Sequence, residues 1–317
     1  MDMHYYFAPL EGLTDSIYRR LHHRFFPGVD RYYTPFLSPT VHRALTNREM
    51  RELSVADLPD FTVIPQVLTK NPEDFLWLAG VCRDLGYPEV NLNIGCPSGT
   101  VTAKGKGAGM LRDLDQLDRF LDCIFSATPL PVSVKTRIGF EDPAEFAGIL
   151  DIYNRYPIRE LTIHPRVRKV FYSGPVEMDC FRYATQHSNA PLCYNGSLCT
   201  LPQLQAFSAE FPQIDAVMIG RGLIADPGML TPGGTTVKAL EEFHDALLAE
   251  YINAFGGSRN AMFRMKENWR HWLCKFQNSE KLGKALRKAT DVDTYKAVTC
   301  EIFHSLPLLT DLCPDWD

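Results

Sequence analysis

The chain has 317 residues, of which 45% are hydrophobic and 22% charged, and its net charge is −5. This is ordinary globular composition, and the length suits one large domain with a smaller one. No stretch approaches the roughly 20 apolar residues of a membrane helix. The mild acidity gives no global argument for a nucleic-acid partner, so any such argument must come from local charge.

The start of the chain and its cysteines indicate the cellular compartment to expect for the protein. The first residues, MDMHYYFAPLEG, lack the basic and apolar regions of a signal peptide. The nine cysteines are an odd number and show no CxxC spacing. We therefore expect a reduced cytoplasmic protein with free thiols, no structural metal and no membrane association.

Eight short β-rich runs recur before residue 220, each ending in polar, Gly or Pro residues. They are Tyr5–Pro9, Arg31–Leu37, Phe61–Val67, Glu89–Ile94, Val132–Arg137, Glu160–His164, Pro191–Tyr194 and Ala216–Ile219. Apolar residues at helical spacing lie between most of them, in Pro72–Leu85, Leu114–Phe125, Pro143–Tyr153 and Leu201–Phe211. This alternation predicts an α/β fold, a (β/α)8 TIM barrel. A doubly wound sheet fits less well, because the glycine-rich turn expected after its first strand is absent.

The pattern changes after Pro232-Gly233-Gly234, and Val237 to about Leu306 is helical in character. We therefore predict a barrel domain over residues 1–235 and an all-helical C-terminal domain over residues 236–317. Trp269 and Trp272 are expected in its core. Residues 259–288 hold nine Lys or Arg and two Glu, a local balance of +7. Such a patch suits a phosphate backbone, although a solvated helix face is the other interpretation.

Polar residues follow the strand runs and should meet at the C-terminal rim of a barrel, where barrel enzymes build their active sites. They are Pro9 to Gly12, Gln66, Asn93 with Gly95 and Cys96, Lys135 with Arg137, His164 with Arg166, Asn195 with Gly196, and Gly220 to Gly222. Any one of them could be structural. Their convergence favours an enzyme.

Two glycine-containing loops follow the last two strands, Asn195-Gly196-Ser197 and Gly220-Arg221-Gly222. In this fold such loops commonly bind phosphate, because glycine lets the backbone amides approach and Arg supplies charge. They predict a phosphorylated ligand, with Lys135 placed to neutralise a second negative charge. Two turns that simply need glycine are the alternative.

Cys96 stands at the end of a buried strand, before a glycine-rich loop that contains Lys104 and Lys106. Nearby lysines lower the pKa of a thiol and help it exchange a proton near neutral pH. Chemistry at Cys96 is therefore one interpretation. A small hydrophobic side chain in a turn is the other.

The motifs at the strand ends resemble those of the tRNA-dihydrouridine synthases, in the same order and at similar spacing over nearly the whole chain. They are APLEGLTD (8–15), PQVL (65–68), NLNIGCPSGTV (91–101), GKGAGML (105–111), SVKTRIG (133–139), IHPR (163–166), YNGS (194–197) and VMIGRG (217–222). Pro165 and Ser197 depart from the glycine and aspartate usual in the family, and Leu10-Glu11 from Met-Ala. These departures bear on the subfamily more than on the reaction.

The resemblance implies reduction of the 5,6 double bond of uridines in tRNA, with FMN as cofactor and NADPH or NADH as reductant. No stable protein partner is evident from the sequence. The resemblance also implies that Pro9, Leu10 and Gln66 line the flavin ring, that Lys135 and His164 bond its polar edge, and that Asn195, Gly196, Gly220 and Arg221 hold its phosphate. Cys96 would be the general acid, and Asn93 and Arg166 would lie beside the uracil.

An enzyme that takes a base out of folded RNA must grip the RNA elsewhere, because extrusion costs a few kcal/mol. The candidates are Lys104 and Lys106 in the cysteine loop and Lys266 and Arg270 in the basic segment. Three alternatives remain open. They are a dihydroorotate dehydrogenase-like enzyme acting on a free pyrimidine, a non-catalytic RNA-binding barrel, and a flavin-free barrel that uses Lys135 as a Schiff base.

Overall fold

The strands whose ends were named above form one parallel barrel. The computed structural model describes residues 3–40, 42–54, 62–309 and 312, and within them nine parallel strands form a nearly closed barrel. The strands are His4–Phe7 (β1), Arg31–Tyr33 (β2), Thr62–Ile64 (β3), Gln66–Val67 (β4), Val90–Ile94 (β5), Val132–Gly139 (β6), Leu161–Val167 (β7), Leu192–Tyr194 (β8) and Ala216–Ile219 (β9). Their spatial order is β3-β2-β1-β9-β8-β7-β6-β5-β4.

The ninth strand arises where Pro65 interrupts the predicted run Phe61–Val67, whose first residue lies outside the described part of the chain. Proline has no N–H to donate to a strand ladder, so β3 ends and β4 begins on either side of it. β3 pairs with β2 and β4 pairs with β5, which brings the two ends of the sheet together. The prediction of a parallel eightfold barrel is therefore confirmed, with its third strand in two pieces.

Thirteen α-helices occur among the described residues, nine within the barrel and four after it. They are Ser16–Phe25 (α1), Asn47–Glu52 (α2), Pro72–Asp84 (α3), Gly99–Thr102 (α4), Leu114–Ala127 (α5), Phe146–Tyr153 (α6), Met178–His187 (α7), Leu201–Glu210 (α8), Arg221–Ala225 (α9), Val237–Phe255 (α10), Ser258–Trp272 (α11), Glu280–Lys288 (α12) and Val292–Ser305 (α13). The predicted helix Pro143–Tyr153 begins as a 3-10 turn, Pro143–Glu145. Glu145 accepts backbone amides there, including that of Phe140 at 2.7 Å, which favours the tighter turn.

Sequence signals account for the helix starts and their buried faces. Asp15, Asn71, Asp113 and Thr200 each accept a hydrogen bond from a first-turn amide of the helix that follows. In α5 the apolar residues at helical spacing are the buried ones: Leu117, Phe120, Leu121 and Ile124.

The C-terminal helices pack directly on the barrel. The indole N–H of Trp272 donates to the carbonyl of Ile224 at 2.8 Å, and Trp269 and Trp272 are buried as predicted. One contiguous apolar core contains side chains from both parts of the chain. The division at residue 235 stays a prediction. No helix among the described residues is both long and apolar enough to cross a membrane.

Candidate active site

A cavity of about 710 Å³ opens at the carboxyl ends of the barrel strands. It is lined by all twelve residues to which the resemblance assigns a catalytic, flavin-binding or uracil-binding role: Pro9, Leu10, Gln66, Asn93, Cys96, Lys135, His164, Arg166, Asn195, Gly196, Gly220 and Arg221. Parallel strands end at one rim, so residues far apart in the chain meet there.

A chain of side-chain amides fixes one wall of this cavity. Asn93 Nδ2 donates to Gln66 Oε1 at 2.7 Å, and Gln66 Nε2 donates to Asn91 Oδ1 at 2.8 Å. The other end of Asn93 accepts the backbone amides of Gly95 (3.0 Å) and Cys96 (2.9 Å). Asn93 therefore has a fixed orientation and holds the backbone that carries the thiol.

The environment of Cys96 differs from the sequence expectation. Burial raises the pKa of its thiol, against the weaker opposing attraction of Arg137 and Lys135. The prediction that Lys104 and Lys106 lower this pKa was wrong. The groups that favour the thiolate are the backbone amide of Ser98, Arg137 and Lys135, and loss of water around the sulfur outweighs them. The thiol is therefore held in its neutral form, which suits a proton donor.

The glycine-rich loop folds back on Cys96. Gly107 has φ +57°, and a Cβ there would lie 2.9 Å from the carbonyl oxygen of Cys96. The amide of Ala108 donates to that same oxygen at 3.1 Å. A larger residue at 107 would push the loop away, so this glycine fixes the thiol's position.

Two cations lie in the cavity next to the thiol. Burial, with Arg137 as the next cause, lowers the pKa of Lys135 to about 8. Arg137 is itself buried, and it donates to the carbonyls of Gly95 and Val167, both at 3.0 Å. Positive groups held together out of water favour an anionic ligand, which would raise the pKa of Lys135 again.

His164 is neutral, and its tautomer follows from its neighbour. Burial, then the charges of Arg137, Lys135 and other cations, lower its pKa well below the usual range. Its Nε2 lies 3.0 Å from Arg166 Nη1. A guanidinium can only donate, so Nε2 accepts and the ring proton is on Nδ1. Arg166 also donates to Gly174 O (2.7 Å) and Ser197 Oγ (3.0 Å), so it orients His164 and the following loops.

Glycines permit two close approaches in the loops after β8 and β9. A Cβ at Gly196 would lie 1.9 Å from the hydroxyl of Tyr194 in β8 itself. A Cβ at Gly222, after β9, would lie 2.7 Å from the carbonyl of Leu198 in the loop after β8, so this glycine lets the two loops meet. Asn195 Nδ2 donates to Met218 O at 2.7 Å and ties the two strands together. Helix α9 starts at Arg221, so first-turn amides lie at the cavity, as phosphate binding requires.

Several cavity residues gave no recognisable signal in the sequence. The Tyr172 ring lies 5.2 Å from the Arg137 guanidinium and 5.5 Å from that of Arg221. His271 reaches the cavity from α11, so the C-terminal region contributes to this site. Its burial lowers the pKa of His271 to about 4. Neither residue stands directly at a strand end, so the strand-end pattern of the sequence did not indicate them.

The four predicted RNA-contacting cations lie outside the cavity lining. Lys106 donates to Ser38 Oγ at 3.3 Å and has Lys104 and Lys70 as charged neighbours, so Lys70 joins the cationic group beside the cysteine loop. Lys266 donates to the carbonyls of Arg287 (3.2 Å) and Ala289 at the end of α12. That contact gives Lys266 a structural role.

The basic segment 259–288 divides into buried and exposed cations. Arg264 pairs with Asp15 at 3.0 Å and Lys275 with Asp226 at 2.9 Å, and both hold the helices to the barrel. Arg270 is exposed and pairs with Glu267 at 2.8 Å. The other exposed cations are Arg259, Lys281, Lys284, Arg287 and Lys288.

The lining fits a flavin mononucleotide. Pro9 and Leu10 give an apolar wall for a planar ring, while Lys135 and neutral His164 offer positive charge and a donor for its polar edge. The glycine loops and Arg221 provide the surroundings that a phosphate needs.

Comparison with solved structures shows the same barrel. Morphinone reductase superposes with a TM-score of 0.51 over 73% of this chain and 86% of that one, at 12% identity. A morphinone reductase variant in complex with tetrahydroNAD gives a TM-score of 0.53 over 73% and 87% of the two chains, also at 12% identity. This likeness concerns the fold.

Sequence comparison gives the family. A probable tRNA-dihydrouridine synthase of Rickettsia bellii is 26% identical over 74% of this chain and 72% of its own length. The tRNA-dihydrouridine synthase B of Proteus vulgaris is 29% identical over 69% and 67%. These relatives place the chain in the class of flavin-dependent oxidoreductases. The chain belongs to the dihydrouridine synthase family, whose model matches residues 6–300.

Proposed function

We propose that this chain reduces the 5,6 double bond of uridines in tRNA, with FMN as its resident cofactor and NADPH or NADH as reductant. Family membership and the names of its relatives support this. The observation that carries it is a neutral, half-buried thiol in the same cavity as Lys135 and Arg137. Bound FMN, once reduced, would supply the hydride to carbon 6 of the uracil, which no side chain can do.

The protein's own residues would handle the proton and hold the ring. The Cys96 S–H bond breaks, its proton goes to carbon 5, and solvent then reprotonates the thiolate. Asn93, fixed next to Cys96, is the residue we place beside the uracil. Arg166 is occupied by His164, Gly174 and Ser197, so we assign it to orienting His164 as well as to bordering the substrate.

The remaining cavity residues would hold the cofactor. Pro9, Leu10 and Gln66 line the flavin ring, and Lys135 and His164 bond its polar edge. Asn195, Gly196, Gly220 and Arg221 hold the phosphate. Lys135 would stabilise negative charge on the ring, because a buried cation acts more strongly than one in water.

RNA would be gripped outside the cavity. Lys70, Lys104 and Lys106 lie beside the cysteine loop, and Arg270 and the exposed lysines of α12 lie on the helical region. Such contacts read the shape and backbone of an RNA. With tRNA as its substrate, the protein would act in the cytoplasm.

The test is direct. The purified chain should show a flavin absorption spectrum and oxidise NADPH, and it should form dihydrouridine in tRNA taken from cells that lack dihydrouridine synthases. Reduction of free uracil or orotate without activity on tRNA would instead indicate an enzyme of small pyrimidines. Failure to take up FMN would indicate a non-catalytic barrel.

A further inference from the structure

The segment after β7 places two adjacent aromatic rings at the edge of the cavity. Phe171 is 42% exposed and Tyr172 is 51% exposed, and both line the cavity. Large aromatic side chains are normally buried, so an exposed pair beside a site suggests contact with a ligand.

Phe171 is held in a conformation that its own backbone disfavours. Its φ is +50° and its ψ −107°, a region that glycine enters freely and other residues rarely. The turn is nevertheless well formed, because the amide of Phe171 donates to Arg168 O and that of Ser173 to Val170 O, both at 3.1 Å. Strained residues of this kind persist where the surroundings enforce them, and they concentrate at functional sites.

Three arginines enforce this conformation. The Arg168 guanidinium lies 4.9 Å from the centre of the Phe171 ring. Arg221 donates to Tyr172 O at 3.3 Å, and Arg166 donates to Gly174 O at 2.7 Å. The turn that carries the ring is therefore held before any ligand arrives, which reduces the entropy lost on binding.

Arg168 also ties this ring to the cysteine loop. Its Nε donates to Pro97 O at 3.1 Å, directly after Cys96, and its Nη2 donates to Thr102 Oγ1 at 3.2 Å. Phe171 and the thiol thus belong to one continuous wall. A chain that places one base at the thiol would bring a neighbouring base to Phe171.

We propose that Phe171 stacks on the nucleobase next to the target uridine in the RNA chain. This inference rests on the function proposed above. Removing a uridine from its stack exposes a face of each neighbouring base, and aromatic side chains commonly cover such faces. The surrounding arginines favour a phosphate-bearing partner. The rival occupant is a ring of the nicotinamide dinucleotide, which the test separates.

The first experiment compares Phe171→Gly with Phe171→Tyr. Glycine fits the backbone and removes the ring, so we expect an unchanged or higher Tm and about 5- to 150-fold weaker tRNA binding. Tyrosine keeps the ring, so binding should stay near that of the unaltered chain. The KM for NADPH should be unchanged in both. A lower Tm for Phe171→Gly would show a packing role, and a raised KM for NADPH with normal tRNA binding would show the dinucleotide as occupant. Either result overturns the proposal.

The second experiment uses tRNA with an abasic nucleotide on the 5′ or 3′ side of the mapped target. One of these two abasic tRNAs should bind the unaltered chain more weakly than intact tRNA does. The same abasic tRNA should bind Phe171→Gly about as well as intact tRNA does, because the missing base and the missing ring remove the same contact. Independent, additive losses on both sides would contradict the stacking. A chain that forms no dihydrouridine in any tRNA would instead overturn the proposed function, which this comparison of binding constants does not measure.

Discussion

Cys96 shows how the surroundings of a single side chain select its chemistry. The sequence places it beside lysines, which alone would favour a thiolate. The folded chain removes water from the sulfur, and this raises its pKa. A thiol that keeps its proton near neutral pH is suited to act as an acid.

The first prediction concerns Cys96→Ala. The variant should bind FMN and oxidise NADPH as before, yet reduce tRNA about 10²- to 10⁴-fold more slowly, the usual contribution of a positioned acid. Rates of dihydrouridine formation and of NADPH oxidation check it. Cys123→Ala is the matched control, since that thiol is exposed and is not part of the cavity lining. Full activity of Cys96→Ala on tRNA would reject the assignment.

The same assignment fixes a pH dependence. The reaction needs the protonated thiol, so the rate with tRNA should stay level below the raised pKa of Cys96 and fall as the pH rises through it. In Cys96→Ser the residual activity should lack this alkaline decline, because a serine hydroxyl stays protonated throughout. A single-turnover pH profile measures both.

The second prediction concerns Lys135, whose pKa burial lowers to about 8. An anionic ligand favours the charged amine, so FMN should bind most tightly below pH 8 and weaken by up to about tenfold per pH unit above it. Lys135→Met should bind FMN more weakly and lose this slope. Flavin fluorescence between pH 7 and 9 measures the affinity, and Lys169→Met, an exposed lysine, is the control. If FMN affinity in Lys135→Met still fell with the same slope above pH 8, the group that loses its proton would be one other than Lys135.

At the scale of elements, one carboxylate joins three helices. Asp15 caps α1 through the amide of Tyr18 at 2.9 Å and accepts the Tyr251 hydroxyl of α10 at 3.0 Å. It also pairs with Arg264 of α11 at 3.0 Å. The first helix of the barrel and the helical region therefore share a polar contact as well as a core.

The third prediction follows for Asp15→Ala. It removes a helix cap and leaves the largely buried Arg264 without its carboxylate, so the free energy of unfolding should fall by about 3 kcal/mol. The control is Glu250→Ala, whose partner is Arg20. The side chains of that pair are 33% and 39% exposed, against 12% and 25% for Arg264 and Asp15. It should cost under about 1 kcal/mol. If urea unfolding showed that Asp15→Ala and Glu250→Ala lower the free energy of unfolding equally, burial would not determine how much these ion pairs stabilise the protein.

At the scale of the whole molecule, charge is distributed unevenly. The chain carries −5 overall, while cations are concentrated in residues 259–288 of the helical region and beside the cysteine loop. Arg264, Lys266 and Lys275 are engaged with protein groups, so the surface available to RNA is smaller than the sequence count indicates. Among the exposed cations of residues 259–288, Arg270 and Lys284 best test whether this surface binds RNA.

The fourth prediction is that reversing Arg270 and Lys284 to Glu weakens tRNA binding and lowers its salt dependence by about one unit of slope per lost phosphate contact. NADPH oxidation should be unaffected, because neither residue lines the cavity. Lys238→Glu, an exposed lysine of α10, is the control. Unaltered binding and slope in the double variant would leave the patch as a solvated helix face.

Local patterns in the sequence were enough to predict the barrel, the helical region that follows it and the identity of the strand-end residues. Strand periodicity and helix spacing are local signals, and parallel strands of a barrel end at the same rim for any loop sequence. The remaining features depend on tertiary packing. The pKa of Cys96 depends on burial, the tautomer of His164 on Arg166, and the entry of His271 into the cavity on the docking of α11. Tertiary packing also separated Lys266 and Lys275 from the exposed cations, because desolvation and long-range pairing depend on neighbours that no local pattern specifies.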